Sequence, residues 1–103
     1  MTGPASGDEA PERIRIDIWL FRARFLKSRA LAADLVNRGH VRLERGGQIV
    51  KIAKAAHIIQ PGDILTLPLR PVPARIEVCA IGERRGPPAE ARTLYRTLDI
   101  AGP

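Results

Sequence analysis

The spacing of apolar residues changes once along this chain. Up to Gly39 they recur at helical intervals; beyond it they alternate. Ile16, Trp19 and Leu20 fall on one stripe of a helix, with Asp17 near its start. Arg22, Arg24 and Lys27 follow on or after its last turns, where cations suit the negative helix end. Ser28 predicts the N-cap of a second helix. Leu31, Ala32, Leu35 and Val36 give that helix an apolar arc, and Gly39 stops it. Its other side, with Ala30, Ala33, Asp34 and Asn37, is small and polar, so a partner can approach closely.

Beyond Gly39, Val41 and Leu43 point one way and Arg42 and Glu44 the other, before a turn at Gly46-Gly47. This predicts a β-hairpin. A Pro61-Gly62-Asp63 turn precedes Ile64, Leu65 and Leu67, which predicts a further strand. Pro68, Pro71 and Pro73 mark a break. "ARIEVCAIGE" alternates as another strand, with Cys79 as a small apolar residue in it. "GPPAEARTLY" opens a short helix, with Pro87 or Pro88 in its first turn and Tyr95 packing it onto the sheet. The fold class is therefore α+β: two N-terminal helices on a small antiparallel sheet, plus a short C-terminal helix.

At 103 residues the chain has room for one small domain. Residues 1–12, rich in Gly, Pro, Ser and acid, read as a disordered tail with no signal-peptide character. The domain proper is expected over 13–70, with a strand-and-helix extension over 71–103. Net charge is +6 and unevenly placed. Residues 13–45 carry nine Lys and Arg against three acids; the tail carries three acids and no base. Such a field favours a polyanion, nucleic acid before membrane surface. One cysteine excludes an internal disulfide and fits a cytoplasmic protein. No apolar run is long enough to cross a bilayer.

The positive charge peaks at a corner between the two helices. Arg24, Lys27 and Arg29 crowd the start of the second, where a partial positive charge already sits. That placement is unfavourable alone and favourable once a phosphate arrives, because the helix start also offers free backbone N–H groups.

These same residues carry a family resemblance. Arg15, Ile16, Asp17, Trp19, Leu20, Arg24, Lys27, Ser28, Arg29, Gly39 and Val41, in that order, resemble the RNA-binding module first recognised in small-subunit ribosomal protein S-four. Lys54, Ile59, Gly62 and Asp63 match its later pattern. Glu83, Arg84, Arg85, Gly86, Pro87, Glu90, Ala91, Leu94 and Tyr95 resemble the segment that follows this module in the small ribosome-associated heat-shock protein fifteen family. The resemblance implies the αL motif and binding to structured ribosomal RNA. It further implies a partner, the free large ribosomal subunit carrying a nascent chain as peptidyl-tRNA, and a role in recycling or quality control of stalled translation. Three departures stand out. Ala55 and Ala56 replace the usual Pro-Ser; the hairpin segment from Val41 to Lys54 is longer than the family's tight version; and the sequence ends at Pro103 without the long basic C-terminal helix of many members.

The RNA-contacting set is therefore Arg24, Lys27, Ser28 and Arg29, joined by Arg22, Arg42, Lys51 and Lys54, with Asp17 a candidate anchor for one of the arginines. Arg84 and Arg85 are candidates for a second contact or for ordering the loop before the last helix. Trp19 is assigned to the core, and four aromatics are too few for a single-strand stacking platform. His40 and His57 share no Cys or carboxylate cluster, so no metal site and no cofactor are expected. No catalytic set emerges, and a monomeric, non-enzymatic protein is expected. The rivals are a targeting subunit for a separate RNA-modifying enzyme, a helix-turn-helix-like DNA-binding protein and a permanent ribosome component.

Overall fold

The computed structural model describes residues 12–69 and 71–98. Of the acidic tail, only Glu12 lies within them. Strand β1 (Ile14–Arg15) runs directly into helix α1 (Ile16–Arg22), and a corner leads to α2 (Arg29–Asn37). Then come β2 (Val41–Arg45), β3 (Gln48–Ile52), β4 (Ile58–Ile59), β5 (Ile64–Leu67) and β6 (Ala74–Val78). A short helix α3 (Pro88–Ala91), one 3₁₀ turn (Arg92–Leu94) and β7 (Tyr95–Thr97) complete the order. The α+β class is as expected, with both N-terminal helices on one side of an antiparallel sheet ordered β3-β2-β5-β6-β7.

Helix α1 is short, and its start is secured from outside. Ile16 N donates to His57 O at 2.8 Å, Asp17 N to Ala55 O at 3.3 Å, and Ile18 N to the Asp17 carboxylate at 2.8 Å. These partners satisfy N–H groups that a helix start leaves open. The ladder of β1 with β4 continues the same seam. Asn37 Oδ1 accepts from Ala55 N at 3.1 Å, so the end of α2 is tied to that segment as well. Ala55 and Ala56 form a turn that fills the place of the missing Pro-Ser.

Ser28 caps α2 as expected: its Oγ accepts from Leu31 N at 3.0 Å. The buried stripe of α2 is narrower than expected. Ala32 and Val36 are buried, Leu35 half-buried, and Leu31 is 49% exposed. Leu31 stands about 100° around the helix from Ala32, beyond the arc that meets the sheet.

In the sheet, Val41, Ile52, Leu65, Leu67, Ile76 and Val78 turn inward onto Trp19, Leu20, Ala32 and Val36. Trp19 has no exposed surface, and its Nε1 donates to Ala80 O at 2.8 Å, so both its ring and its polar atom are satisfied. The β2–β3 hairpin closes through a two-residue turn, Arg45 pairing with Gln48. Gly46 and Gly47 both hold positive φ, +60° and +81°, as this turn requires. The expected longer hairpin is thus corrected: its tip is the tight two-residue turn at Gly46-Gly47.

Two C-terminal readings are also corrected. Tyr95 does not pack a helix; it opens β7, which pairs with β6, because the 3₁₀ turn ends at Leu94. Cys79 is exposed and lies one residue past β6, its N–H bound to Leu94 O at 2.8 Å.

Candidate nucleic-acid interface

The corner between α1 and α2 begins with an unusual residue. Ala23 ends the helix; Phe25 N donates to Leu20 O at 3.0 Å and Arg24 N to Phe21 O at 3.1 Å. This is a Schellman ending, whose left-handed position normally takes glycine. Here Arg24 occupies it, with φ +66°, and no other non-glycine among the described residues has positive φ. A side chain in that region costs on the order of 1–2 kcal/mol. The guanidinium is what glycine would lack.

Three arginines staple this corner to the loop before α3. Arg24 Nε donates to Gly86 O at 2.6 Å, and Arg22 Nη1 to Gly82 O at 2.7 Å. In the other direction, Arg85 Nε donates to Phe21 O at 3.1 Å, Nη2 reaches Leu26 O at 3.5 Å, and the guanidinium lies 4.8 Å from the Phe21 ring centroid. Gly86 is buried there, and a Cβ on it would come within 2.5 Å of the Glu90 carboxylate. All acceptors at this junction are carbonyls. A carbonyl orients a guanidinium without cancelling its charge.

Lys27 and Arg29 flank the cap, both exposed, with no acid or side-chain hydrogen-bond partner among the described residues. The Ser28 hydroxyl oxygen is committed to its cap. The N–H groups of Arg29 and Ala30 have no partner among the described residues. The corner therefore gathers five cations, Arg22, Arg24, Lys27, Arg29 and Arg85, around a helix start with open donors.

The remaining sequence candidates lie elsewhere. Arg42 pairs across the hairpin with Lys51, and both face away from the helices, next to Thr66 and then Arg75. Arg75 is held by Glu44 at 3.1 Å. Lys54 is exposed at the other end of the helix pair, beside the Asn37–Ala55 bond. Arg84 is ion-paired with Glu90 at 2.7 Å, whereas its neighbour Arg85 is part of the corner. Asp17 does hold an arginine: both Arg15 Nε and Nη2 donate to it, at 3.1 and 2.9 Å.

Asp63, buried beneath the hairpin, explains the Gly-Asp of the later pattern. It accepts from Arg45 Nε at 2.7 Å, Arg45 Nη2 at 2.6 Å and Gln60 N at 2.9 Å. The Asp63 hydrogen bonds, above all, raise the Arg45 guanidinium pKa above its ordinary value, against the opposing effect of burial. This pair is scaffold. Arg92 was missed by the sequence reading: it borders an open cleft together with Arg24, although the two are far apart in the chain. Nothing local in the sequence marks it. Among the described residues no cluster of His, Cys, Asp or Glu could hold a metal, and no helix is long and apolar enough to cross a membrane.

Comparison with known proteins agrees with this architecture. The S4 domain family matches residues 14–65. Heat shock protein 15 of Escherichia coli K12 is 39% identical over 82 residues, covering 80% of this chain and 58% of that protein. The heat shock protein 15 homolog of Haemophilus influenzae is 30% identical over 90 residues, covering 87% and 65%. The chain thus spans about three-fifths of the length of these curated relatives. A structure described as trimeric Vibrio cholerae heat shock protein 15 superposes with a TM-score of 0.72 at 34% identity, covering 84% of this chain and 83% of that one. With its S4 domain, its helix corner and its stapled C-terminal loop, the chain belongs to the heat shock protein 15 family of RNA-binding proteins.

Proposed function

We propose that this protein docks, without catalysing a reaction, on the ribosomal RNA of free large subunits that still carry peptidyl-tRNA. It would act there in the cytoplasm, in recycling or quality control of stalled translation. The observation that carries the reading is the chemistry at the corner. Arginines are oriented by carbonyls and Lys27 and Arg29 have no acid partner among the described residues, so five cations remain to meet phosphates. Arg24, Lys27 and Arg29 would take the phosphates nearest the start of α2, with Ser28 holding that start in place. Arg22 and Arg85 would fix the ribbon on the loop side. Arg42 and Lys51 form a second, smaller site on the outer face of the sheet, and Lys54 a peripheral one.

The corner and its staples come from one chain, which supports a single copy as the RNA-binding unit. The α2 face that a DNA-reading helix would present carries Ala30, Ala33 and Asp34, and Asp34 is taken by Arg38 at 2.7 Å. That favours phosphate and shape recognition of RNA over base readout in DNA. The test is binding of large-subunit ribosomal RNA over a salt series. Neutralising about five phosphates gives a slope of log affinity against log salt near −4.5. A slope near zero, or equal binding of duplex DNA at the same salt, overturns the reading. Sedimentation from stressed cells checks the destination: the protein should travel with free large subunits and not with all of them.

A further inference from the structure

Three of the chain's four aromatic residues form one cluster beside the corner. The Phe25 ring lies 6.0 Å from Trp19 and 4.6 Å from Tyr95, centroid to centroid. Trp19 is sealed in the core; Phe25 and Tyr95 are only half-buried. These two rings line the open cleft between the corner and the C-terminal extension, together with Arg24, Arg92 and Pro88. The cleft measures about 180 Å³ and has no acidic residue in its lining.

Its size and chemistry restrict the occupant. A cavity of about 150 Å³ accepts one benzene, and pockets for drug-sized ligands start near 300 Å³. The cleft therefore takes one planar ring system and excludes a base pair. Two guanidiniums and no carboxylate exclude a cation. A wholly apolar ligand would leave both arginines without partners. A flat ring joined to an anion satisfies both halves of the lining.

Arg24 is suited to the anionic half. Its Nε is fixed on Gly86 O, while its two terminal nitrogens have no partner among the described residues. The side chain is aimed without being used up, and its backbone holds a conformation that glycine would adopt at no strain. Arg92 likewise has no side-chain partner among the described residues.

We propose that this cleft binds one unpaired nucleotide of the RNA, its base against Phe25 and Tyr95 and its phosphate between Arg24 and Arg92. The inference rests on the RNA-binding reading and adds to it a preference for a bulged or extruded residue over continuous duplex. Stacking on aromatic side chains is the usual way proteins hold an unstacked RNA base. Arg92, on a turn outside the corner, becomes a specificity determinant.

The test compares two RNA hairpins, identical except for one bulged nucleotide, by fluorescence anisotropy at fixed salt. The protein should bind the bulged hairpin about tenfold more tightly, the scale of one stacked base. An abasic residue in the bulge should remove that preference. Arg92→Ala and Tyr95→Leu should each bring the affinity ratio towards one; Arg92→Ala removes an exposed side chain and guards against a folding artefact at Tyr95. Equal binding of both hairpins by the unaltered protein sinks this proposal and leaves the corner reading standing. A ratio that survives both substitutions also sinks it. Binding of adenosine monophosphate without any bulge preference would assign the cleft to free nucleotides instead. Failure to bind either hairpin would remove both readings.

Discussion

Arginines in the sheet and arginines at the helix corner are held by different acceptors. Arg45 is clamped by Asp63, Arg75 by Glu44 and Arg96 by Glu77. Arg22, Arg24 and Arg85 are held by the carbonyls of Gly82, Gly86, Phe21 and Leu26. Either arrangement orders a side chain. A carboxylate also cancels the charge, so Arg45, Arg75 and Arg96 contribute little field beyond a few ångströms. A carbonyl contributes only a dipole, so the corner keeps a full charge on each guanidinium. Counting basic residues would rank the two regions alike; their acceptors separate a scaffold from a binding surface.

The strongest way to break this comparison is to strip the corner. Replacing Arg24, Lys27 and Arg29 with Ala should reduce the salt slope by about 2.7 and, at 0.1 M salt, weaken RNA binding by roughly 500-fold. The thermal midpoint should fall by about 4–8 °C, because Ala at position 24 loses the bond to Gly86 and keeps the left-handed strain, so binding is read well below it. An unchanged slope would return these residues to ordinary surface charge.

The opposite change strikes the scaffold. Asp63→Ala strips Arg45 of its bidentate partner and leaves the Gln60 N–H unpaired; a cost of about 3 kcal/mol in denaturant unfolding is expected. RNA affinity under folding conditions should stay within about twofold of the parent, within the noise of a 0.4 kcal/mol difference. A large affinity loss in folded protein would mean that the hairpin clamp belongs to the binding surface.

Arg24→Gly sharpens the contrast within one residue. Relief of the left-handed strain, about 1–2 kcal/mol, offsets loss of the hydrogen bond to Gly86, about 1–2 kcal/mol. Stability should be nearly unchanged while one phosphate contact is lost, lowering the salt slope by about 0.9. Stability that falls steeply would show that Arg24 serves the fold first. The smallest effect is expected at Arg96→Ala, an exposed pair on the outer strand. It should change stability by less than about 1 kcal/mol and leave the salt slope as it is.

The hairpin presents a further contrast with the corner. Both its faces are partly bare on β3, an edge strand of the sheet: Val50, on the inner face opposite Leu43, is 44% exposed, and Ile49, on the outer face opposite Glu44, is 65% exposed. The hairpin's cations, Arg42 and Lys51, are aligned by strand pairing on its outer face and have no side-chain partner among the described residues, whereas Arg22, Arg24 and Arg85 of the corner are held between two segments of the fold.

Local signals in the chain determined its local elements. Ser28 with an apolar arc behind it made a capped helix, the alternation of Val41 and Leu43 made a strand, and Gly46-Gly47 made a turn, since each depends on residues a few positions apart. Strands β1 and β4 left no trace because two residues carry no period. β7 was not foreseen, and its first residue, Tyr95, was placed with the helix, because "TLYRT" has no alternation of its own to set against the proline-led start before it. The concentration of positive charge in the first third was also plain from order alone.

Tertiary structure decided which cations stay together and which stay charged. Arg22, Arg24 and Arg85 meet carbonyls some 60 residues away, and Arg92 joins Arg24 in lining a cleft that only packing creates. Arg42, Lys51 and Lys54, level with Arg22 as candidates in sequence, are carried to other faces by strand parity and by the connection after β3. The physical reason is range. Propensity and periodicity act between neighbours on the chain, whereas the choice of a carbonyl or a carboxylate as an arginine's partner depends on which distant segment the fold brings within about 3 Å.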